Sequence, residues 1–325
     1  MQAFTLAQPE SIDAALAGAG APGAKYIAGG SDLIQLMKDD VEAPTHLIDL
    51  EPLPLTAIRA DDNGLRLEAM ARMSDVAVHP AVREGWPVIS QALLASASPQ
   101  VRNMGTMGGN LLQRTRCGYF RDSGFTCNKR VPGSGCPAIR GENRLLAILG
   151  GSDHCIASHP SDLAVALVAL DATVELRGPN GQVRSMPVRD FHHLPGDTPH
   201  IETNLASGEL ITAILVPASP AARRSVYVKV RDRASFEFAL VSAAVAMEVR
   251  GGTIGDVGVA AGGVGTKPWR LPEVEAALRG RALSDDTLRT AAMQAGQGAR
   301  PASQNGFKLP LLHRTVLRAL RIVSA

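Results

Sequence analysis

Gly105–Asn110 reads Gly-Thr-Met-Gly-Gly-Asn, and it opens a segment that runs to Ser158–Asp162, which reads Ser-His-Pro-Ser-Asp. A glycine-rich loop lets the backbone approach a ligand closely, because glycine has no side chain to hold the ligand off. Successive backbone N–H groups in such a turn form a concave site for an anion. The stretch therefore predicts contact with a phosphate-bearing ligand.

A second glycine turn lies about 75 residues earlier, where Ala28–Asp32 reads Ala-Gly-Gly-Ser-Asp. It stands between a predicted strand and a predicted helix, and Ser31 or Asp32 is placed to cap that helix. Backbone N–H groups at a helix start attract phosphate, although a structural turn without a ligand is the alternative interpretation. Two such turns in one chain favour a pyrophosphate site. Neither has the G-x-G-x-x-G spacing of a dinucleotide-binding Rossmann turn, which argues against that fold.

The short strands and helices around these loops predict an α+β protein. Asn63 and Gly64 are expected to supply the positive φ angles of a tight hairpin turn. Pro217–Pro220 is expected to be a linker, and Arg314 and Arg318 are expected on a solvated face of the last helix, together with Arg321. The predicted strands are 25–27, 45–50, 56–60, 65–70, 173–176, 183–188, 210–216, 225–230, 240–250 and 253–260. The predicted helices are 11–19, 33–38, 74–78, 88–97, 163–170, 273–278, 285–295 and 311–322.

Length and composition exclude several classes of protein. The chain has 325 residues, of which 45% are apolar and 20% are charged, so it is expected to form two or three packed units. The 33 basic and 31 acidic residues leave a net charge of +2, which gives no electrostatic reason to expect nucleic acid as a partner. No apolar run reaches the ~18 residues that a membrane span needs. The first residues show no basic region followed by an apolar one, so no export signal is expected.

All four cysteines lie in the loop that follows the second glycine motif, at Cys117, Cys127, Cys136 and Cys155. Their intervals of nine, eight and eighteen residues do not fit a zinc finger or ribbon, whose cysteine pairs are close together in sequence. The loop is also rich in cations, at Arg114, Arg116, Arg121, Lys129, Arg130 and Arg140. Four thiolates in an irregular, basic loop suit a [4Fe–4S] cluster, and free thiols or two disulfides are the alternatives.

These motifs together resemble the FAD-binding medium subunit of the molybdenum hydroxylases, the family of xanthine dehydrogenase, carbon monoxide dehydrogenase and bacterial aldehyde dehydrogenases. Ser31 and Met107 depart from the threonine and isoleucine that are commoner in that family. The matching segments are Ala28–Leu33, Asn103–Leu111, Pro160–Leu163, Ala169–Ala172 and Tyr227–Lys229.

The cysteine loop is similar to an insertion in the FAD subunit of periplasmic aldehyde oxidoreductases. The matching parts are Arg114–Cys117, Cys127–Arg130, Pro132–Cys136, His154–Cys155 and His159–Asp162. The resemblance implies a two-lobed, vanillyl-alcohol-oxidase-type FAD-binding domain over residues 1–218, with lobes at about 1–55 and 56–218 and a cluster-binding insertion at 113–156. A smaller C-terminal α+β domain, similar to that of carbon monoxide dehydrogenase flavoproteins, is expected over residues 222–325.

The resemblance also implies residue roles. The two glycine loops are expected to hold the pyrophosphate, with hydroxyls from Ser31 and Thr106. Asp162 would contact the sugar chain of the flavin and Lys229 would lie near its ring, although Asp162 could equally be a helix N-cap. The candidate FAD-binding residues are Ala28, Gly29, Gly30, Ser31, Asp32, Leu33, Gly105, Thr106, Gly108, Gly109, Asn110, Asp162 and Lys229. The candidate cluster ligands are Cys117, Cys127, Cys136 and Cys155, with His154 and His159 as loop residues near the cluster or the flavin. No catalytic side chain is expected, because the flavin carries the redox chemistry.

By resemblance, the chain is the FAD-binding electron-transfer subunit of a heterotrimeric aldehyde oxidoreductase. A large subunit with the molybdenum cofactor would hydroxylate an aldehyde, and a small subunit with two [2Fe–2S] clusters would relay electrons to the FAD. Oxygen, ferredoxin, a quinone or NAD would then accept them. The alternatives are the FAD subunit of a xanthine dehydrogenase-like or other molybdenum hydroxylase, a non-catalytic binding protein with zinc on its cysteines, and a self-sufficient flavin oxidase. Co-export to the periplasm with a signal-bearing partner is expected, with the cytoplasm as the alternative.

Overall fold

The computed structural model describes residues 1–325 and contains three β-sheets with helices packed against them. The strands are β1 (Thr5–Ala7), β2 (Ala24–Ile27), β3 (His46–Asp49), β4 (Ile58–Asp61), β5 (Gly64–Glu68), β6 (Thr173–Arg177), β7 (Val183–Pro187), β8 (Leu210–Pro217), β9 (Ser225–Val230), β10 (Val241–Arg250), β11 (Thr253–Gly262) and β12 (Trp269–Arg270). The helices are α1 (Ile12–Gly18), α2 (Leu33–Lys38), α3 (Met73–Val78), α4 (Pro80–Gly85), α5 (Pro87–Ala95), α6 (Pro99–Met104), α7 (Met107–Leu111), α8 (Gly118–Arg121), α9 (Asp162–Ala169), α10 (Val188–Phe191), α11 (Pro220–Arg223), α12 (Pro272–Leu278), α13 (Asp285–Ala292) and α14 (Lys308–Ser324). None of these helices has both the length and the apolar composition that crossing a bilayer requires. The predicted α+β class is confirmed.

A small parallel sheet, in the order β1-β3-β2, forms the first unit of the chain. Helix α1 covers one face of it and buries Leu16 against Ile48 and Leu50. Ser11 caps this helix, because its hydroxyl accepts the N–H of Ala14 at 3.2 Å. The turn after β2 leaves the carboxyl end of the sheet and leads directly into α2, so the first glycine loop lies at that end of the sheet.

A five-stranded antiparallel sheet, in the order β4-β5-β8-β6-β7, forms the second unit. Its strands alternate as half-buried strands should, since Val174 and Leu176 of β6 are fully buried while their neighbours along the strand are partly exposed. All eight residues of α9 are buried, including Leu163 and Leu167. This helix therefore runs through the largest hydrophobic core of the protein, with α5 beside it.

The third sheet, in the order β12-β11-β10-β9, is packed on both faces. Val245 and Met247 of β10 belong to the core beneath α12, α13 and α14, whereas Ala244 and Ala246 face the core that contains α9. Because successive side chains of β10 point to opposite faces of the sheet, this strand packs against the C-terminal helices on one side and against the second unit on the other. On α14, Arg314, Arg318 and Arg321 are exposed, as the sequence predicts.

Two local predictions need correction. Asn63 does not adopt a positive φ angle. Instead, the carboxylate of Asp61 accepts the N–H groups of Asn63 and Gly64 at 2.8 and 3.1 Å, and this closes the hairpin turn. The expected linker is also mostly structured, because β8 extends to Pro217 and Ser219 caps helix α11.

The cysteine loop has almost no regular structure, as predicted, but it has a small core of its own. Phe120 is completely buried there, with Leu36 of α2, Ala138 and Leu146 packed in the same cluster. The end of the loop is anchored to the C-terminal helix, because the ammonium of Lys308 donates to the backbone carbonyls of residues 145, 146 and 263 at 2.9, 3.0 and 2.7 Å.

Candidate functional site

A cavity of about 660 Å³ lies between the two glycine loops and strand β9. Cofactor pockets commonly have volumes of roughly 300–1,000 Å³. All of the candidate FAD-binding residues line this one cavity, namely Ala28, Gly29, Gly30, Ser31, Asp32, Leu33, Gly105, Thr106, Gly108, Gly109, Asn110, Asp162 and Lys229. The fold therefore gathers residues that are up to 201 positions apart in the sequence, from Ala28 to Lys229. Their individual contacts with a flavin stay predictions.

The first glycine loop supplies unpaired donors to the cavity wall. The backbone N–H groups of Ala28–Asp32 have no hydrogen-bond acceptor within the protein. Gly30 has a φ of +67°, which places it in the left-handed region that glycine adopts most readily. Because successive unpaired backbone N–H groups form a concave site for an anion, five of them along a cavity fit a ligand with several anionic oxygens.

Close contact between the two glycine loops depends on Gly29. A Cβ atom at this position would lie 1.8 Å from the carbonyl oxygen of Met104, which immediately precedes the second loop. That distance is far below any allowed contact, so only glycine permits the two loops to touch here.

The second glycine loop is different from the prediction, because most of its donors are already used. The N–H groups of Met107 and Gly108 donate to backbone carbonyls of the segment after β5, at 3.0 and 2.8 Å. Gly109 donates to the hydroxyl oxygen of Thr106 at 3.2 Å, so Thr106 is the N-cap of α7. This loop forms a fixed wall of the cavity, and the first loop carries the free backbone donors.

Asp162 is held by three donors rather than acting as a helix cap. Ser161 caps α9, while the Asp162 carboxylate accepts hydrogen bonds from Tyr227 at 2.5 Å and from both Lys229 and Ser96 at 2.8 Å. The Lys229 and Asp162 side chains are only 4% and 6% exposed. Burial raises the pKa of Tyr227 well above its usual value, with Asp162 adding to the effect. The network joins β9 of the C-terminal sheet to the cavity.

The sequence does not single out two members of this network. Tyr227 stands in a matched segment, yet its role as a donor to Asp162 follows only from the tertiary packing, in which β9 lies against α5 and the Tyr227 hydroxyl reaches the first residue of α9. Ser96 follows α5 in a stretch with no distinctive motif. No sequence signal could have assigned Ser96 to the site.

Asp32 lines the cavity, but its side chain does not cap α2 as expected. The carboxylate instead contacts three groups of the cysteine loop. It forms an ion pair with the guanidinium of Arg116 at 2.6 Å, and it accepts hydrogen bonds from the guanidinium of Arg121 at 2.7 Å and the backbone N–H of Arg114 at 2.8 Å. Burial lowers the pKa of Arg116 below its ordinary value. The first glycine loop and the cysteine loop are therefore directly connected.

The four cysteines, Cys117, Cys127, Cys136 and Cys155, line one small cavity and form no disulfide. Burial raises the pKa of the Cys155 thiol to about 11, and nearby Lys129 acts in the opposite direction. The backbone N–H of Ala157 donates to the sulfur of Cys155 at 3.5 Å. Burial raises the pKa of the Cys117 and Cys136 thiols, and nearby backbone donors partly offset that rise. Such N–H···S contacts are the usual surroundings of ligating thiolates, so the donor set fits an iron–sulfur cluster.

A single zinc ion fits this arrangement less well. Zn–S bonds of about 2.3 Å would bring the ligand sulfurs to roughly 3.8 Å from one another. No group of three or more His, Cys, Asp or Glu side chains in the structure is arranged to hold one metal ion.

The two histidines that were expected near the cofactors lie in different surroundings. His154 lines the cavity of the cysteines and approaches Asp197 at 3.4 Å. His159 packs edge-on against His192, with ring centroids 4.3 Å apart. Burial lowers the pKa of His159 well below its usual value and that of His192 to about 4, so both rings are neutral near pH 7.

Comparison with known protein families assigns both parts of the chain. Residues 2–219 match the FAD binding domain in molybdopterin dehydrogenase, and residues 226–321 match the CO dehydrogenase flavoprotein C-terminal domain. Among curated proteins, the aldehyde oxidoreductase FAD-binding subunit PaoB of Escherichia coli (strain K12) is 49% identical, over 98% of each chain. The glyceraldehyde dehydrogenase medium chain of Sulfolobus acidocaldarius is 30% identical, over 93% of this chain and 90% of that one.

Solved structures show the same fold. A chain of the carbon monoxide dehydrogenase from Hydrogenophaga pseudoflava that lacks the Mo-pyranopterin moiety superposes with a TM-score of 0.77 at 27% identity. The superposition covers 99% of this chain and 98% of that one.

Proposed function

Since this chain belongs to the FAD-binding medium subunits of the molybdenum hydroxylases and is an oxidoreductase component, we propose that it is the electron-exit subunit of a heterotrimeric aldehyde oxidoreductase. It would receive electrons on FAD from two [2Fe–2S] clusters of a small partner subunit and deliver them to an external acceptor. Oxidation of an aldehyde to a carboxylic acid with water releases two electrons and two protons, and a molybdenum-containing partner would carry out that step. The 49% identity to an aldehyde oxidoreductase subunit supports an aldehyde over a purine as the substrate of the complex.

The main support for the flavin site is the run of unpaired backbone N–H groups at Ala28–Asp32. These donors would hold the pyrophosphate of FAD, and the hydroxyl of Thr106 remains free to donate its proton to the same ligand. Lys229 and Asp162 form a rigid, charge-paired wall of the cavity. When bound, FAD supplies the electron-transfer chemistry that protein side chains lack.

The cysteine loop would hold a [4Fe–4S] cluster through Cys117, Cys127, Cys136 and Cys155. The shared cavity, the Ala157 N–H that donates to the Cys155 sulfur and the cationic Lys129 support this assignment. Iron and sulfide analysis of the anaerobically purified complex should find four more iron atoms than two [2Fe–2S] clusters require. A complex with no iron beyond those two clusters would refute the assignment.

Anaerobic titration with an aldehyde tests the direction of electron flow. In the complete complex, the absorption band of oxidised flavin should bleach on addition of the aldehyde. The FAD-loaded chain without its partners should not respond, because the proposed oxidation of the aldehyde takes place on the molybdenum-containing partner. Bleaching of the isolated chain would instead indicate a self-sufficient flavin oxidase.

The acceptor would be oxygen, ferredoxin, a quinone or NAD, and steady-state assays with each in turn would identify it. Co-export with a signal-bearing partner would place the complex in the periplasm, as the resemblance to periplasmic aldehyde oxidoreductases implies. Fractionation of cells by osmotic shock should then release the flavin-containing complex with periplasmic marker proteins. Retention with cytoplasmic markers would contradict this location.

A further inference from the structure

The side chain of Asp32 connects the two cofactor loops. Asp32 ends the run of unpaired N–H groups that lines the large cavity, and its carboxylate is turned toward the cysteine loop. One oxygen forms an ion pair with Arg116 at 2.6 Å and accepts a hydrogen bond from Arg121 at 2.7 Å, and the other accepts the N–H of Arg114 at 2.8 Å. The carboxylate is only 16% exposed, so water competes little for these bonds.

The arginines are held by the cysteine loop itself. Arg121 also donates to the backbone carbonyls of Thr115 and Arg114, at 2.9 and 3.1 Å. It lies in α8, which begins immediately after Cys117. The preceding residue, Phe120, is completely buried in the cluster that contains Cys117, Cys127 and Cys155. The position of Arg121 therefore depends on the order of the cysteine core.

An apolar contact reinforces the polar one. Leu36, which follows Asp32 on α2, is 2% exposed and packs in the same cluster as Phe120 and the cysteines. The turn from the glycine loop into α2 is thus held by the cysteine loop at two points, through the ion pairs of Asp32 and the apolar packing of Leu36. If that loop loses its order, the five backbone donors lose the contacts that keep them in position.

No other carboxylate can replace Asp32 for these two cations. The guanidinium of Arg114 is paired with Glu42 and Glu202, whereas Arg116 and Arg121 share Asp32 alone. Without Asp32, two guanidinium groups would lie close together without a counter-charge, which is unfavourable in partly buried surroundings.

We propose that Asp32 is a positioning residue through which the metal-bound order of the cysteine loop sets the affinity of the first glycine loop for FAD. The proposal rests on the proposed function, because it takes the cysteines as cluster ligands. Loss of the cluster would weaken FAD binding through Arg121 and Asp32, without any direct contact between the two cofactors.

The test uses the complete complex after removal of its FAD, with FAD affinity measured by quenching of flavin fluorescence and iron content measured in parallel. Arg121→Met removes one donor to Asp32 but does not line the FAD cavity, so FAD should bind about tenfold more weakly. Arg121→Lys keeps the charge and should recover most of that affinity. Arg140→Met makes the same charge change at an exposed position of the same loop and should leave FAD affinity unchanged.

A second set of variants tests whether the cysteines influence FAD affinity through the same contact. Cys136→Ser should lower both the iron content and FAD affinity, and adding Arg121→Met to it should weaken FAD binding little further, because both changes break one connection. Unchanged FAD affinity in Arg121→Met, or full additivity of the two changes, would overturn the proposal. Absence of extra iron in the wild-type complex would overturn the cluster assignment and with it the role of bound metal, whereas unchanged FAD affinity in Arg121→Met beside a full iron content would overturn the connection through Asp32 alone.

Discussion

Replacement of Gly29 by alanine is the sharpest structural perturbation of the flavin site. The new methyl group would lie 1.8 Å from the carbonyl oxygen of Met104 and 2.5 Å from its carbonyl carbon. Both obstacles are backbone atoms, so no side chain can rotate away. The two glycine loops would have to separate by more than about 1 Å before the contact became allowed.

Overpacking of this kind costs roughly 1–3 kcal/mol, and a backbone obstacle places Gly29→Ala at the upper end. If the loops separate mainly at the cavity, about 3 kcal/mol corresponds to roughly a hundredfold loss of FAD affinity, since ~1.4 kcal/mol is tenfold. Titration of the flavin-free complex with FAD, followed by fluorescence, measures the change directly.

Gly85→Ala is the matched control. Gly85 ends helix α4, and a Cβ atom there would meet no other atom within 4 Å. The control should bind FAD with unchanged affinity and keep the stability of the wild-type protein. If Gly29→Ala bound FAD as tightly as this control, the close approach of the two loops would have no part in holding the cofactor.

Three further predictions concern stability. Lys229→Met leaves the buried Asp162 carboxylate without its cation and should lower the free energy of unfolding by about 3–5 kcal/mol. The double variant Lys229→Met/Asp162→Asn should lose less free energy of unfolding than Lys229→Met alone. Chemical denaturation of both variants measures this, and a double variant less stable than Lys229→Met would contradict the prediction. Thr106→Ala removes the cap of α7 and should cost about 1 kcal/mol, whereas Thr106→Ser should be close to wild type. Burial lowers the pKa of Lys308 to about 7, from roughly 10.4 when unfolded, so the unfolded chain binds more protons between these values. The Lys308 contribution to stability should therefore rise with pH across that window and be lost as the pH falls through 7. Unfolding of wild type and Lys308→Met at pH 7 and 9 would show a constant difference if this reasoning were wrong.

Strong local patterns predicted the fold well. Helix α2 and strand β9 begin and end where the sequence places them, and the confirmed family and α+β class follow from the glycine motifs and their surroundings. The helices that the sequence missed, such as α8 and α10, have only four residues each. Helices this short contain about one turn, so no hydrophobic period can reveal them.

The sequence could not predict which glycine loop keeps free backbone donors, because this depends on contacts between distant segments. The sequence shows two similar loops, yet only the donors of the second are consumed, by carbonyls of the segment after β5 and by the cap at Thr106. The same holds for Asp32, whose local sequence indicates a helix cap. Its actual partners, Arg116 and Arg121, lie more than 80 residues away.

Hydrogen exchange of the backbone amides, measured by mass spectrometry with and without FAD, tests the central claim most directly. In the flavin-free complex, the amides of Ala28–Asp32 should exchange rapidly because they have no acceptor, and those of Met107–Asn110 should already be slow. FAD should produce its largest slowing at Ala28–Asp32. If FAD left that segment unprotected, or slowed only the second loop, the first glycine loop would not be the pyrophosphate site.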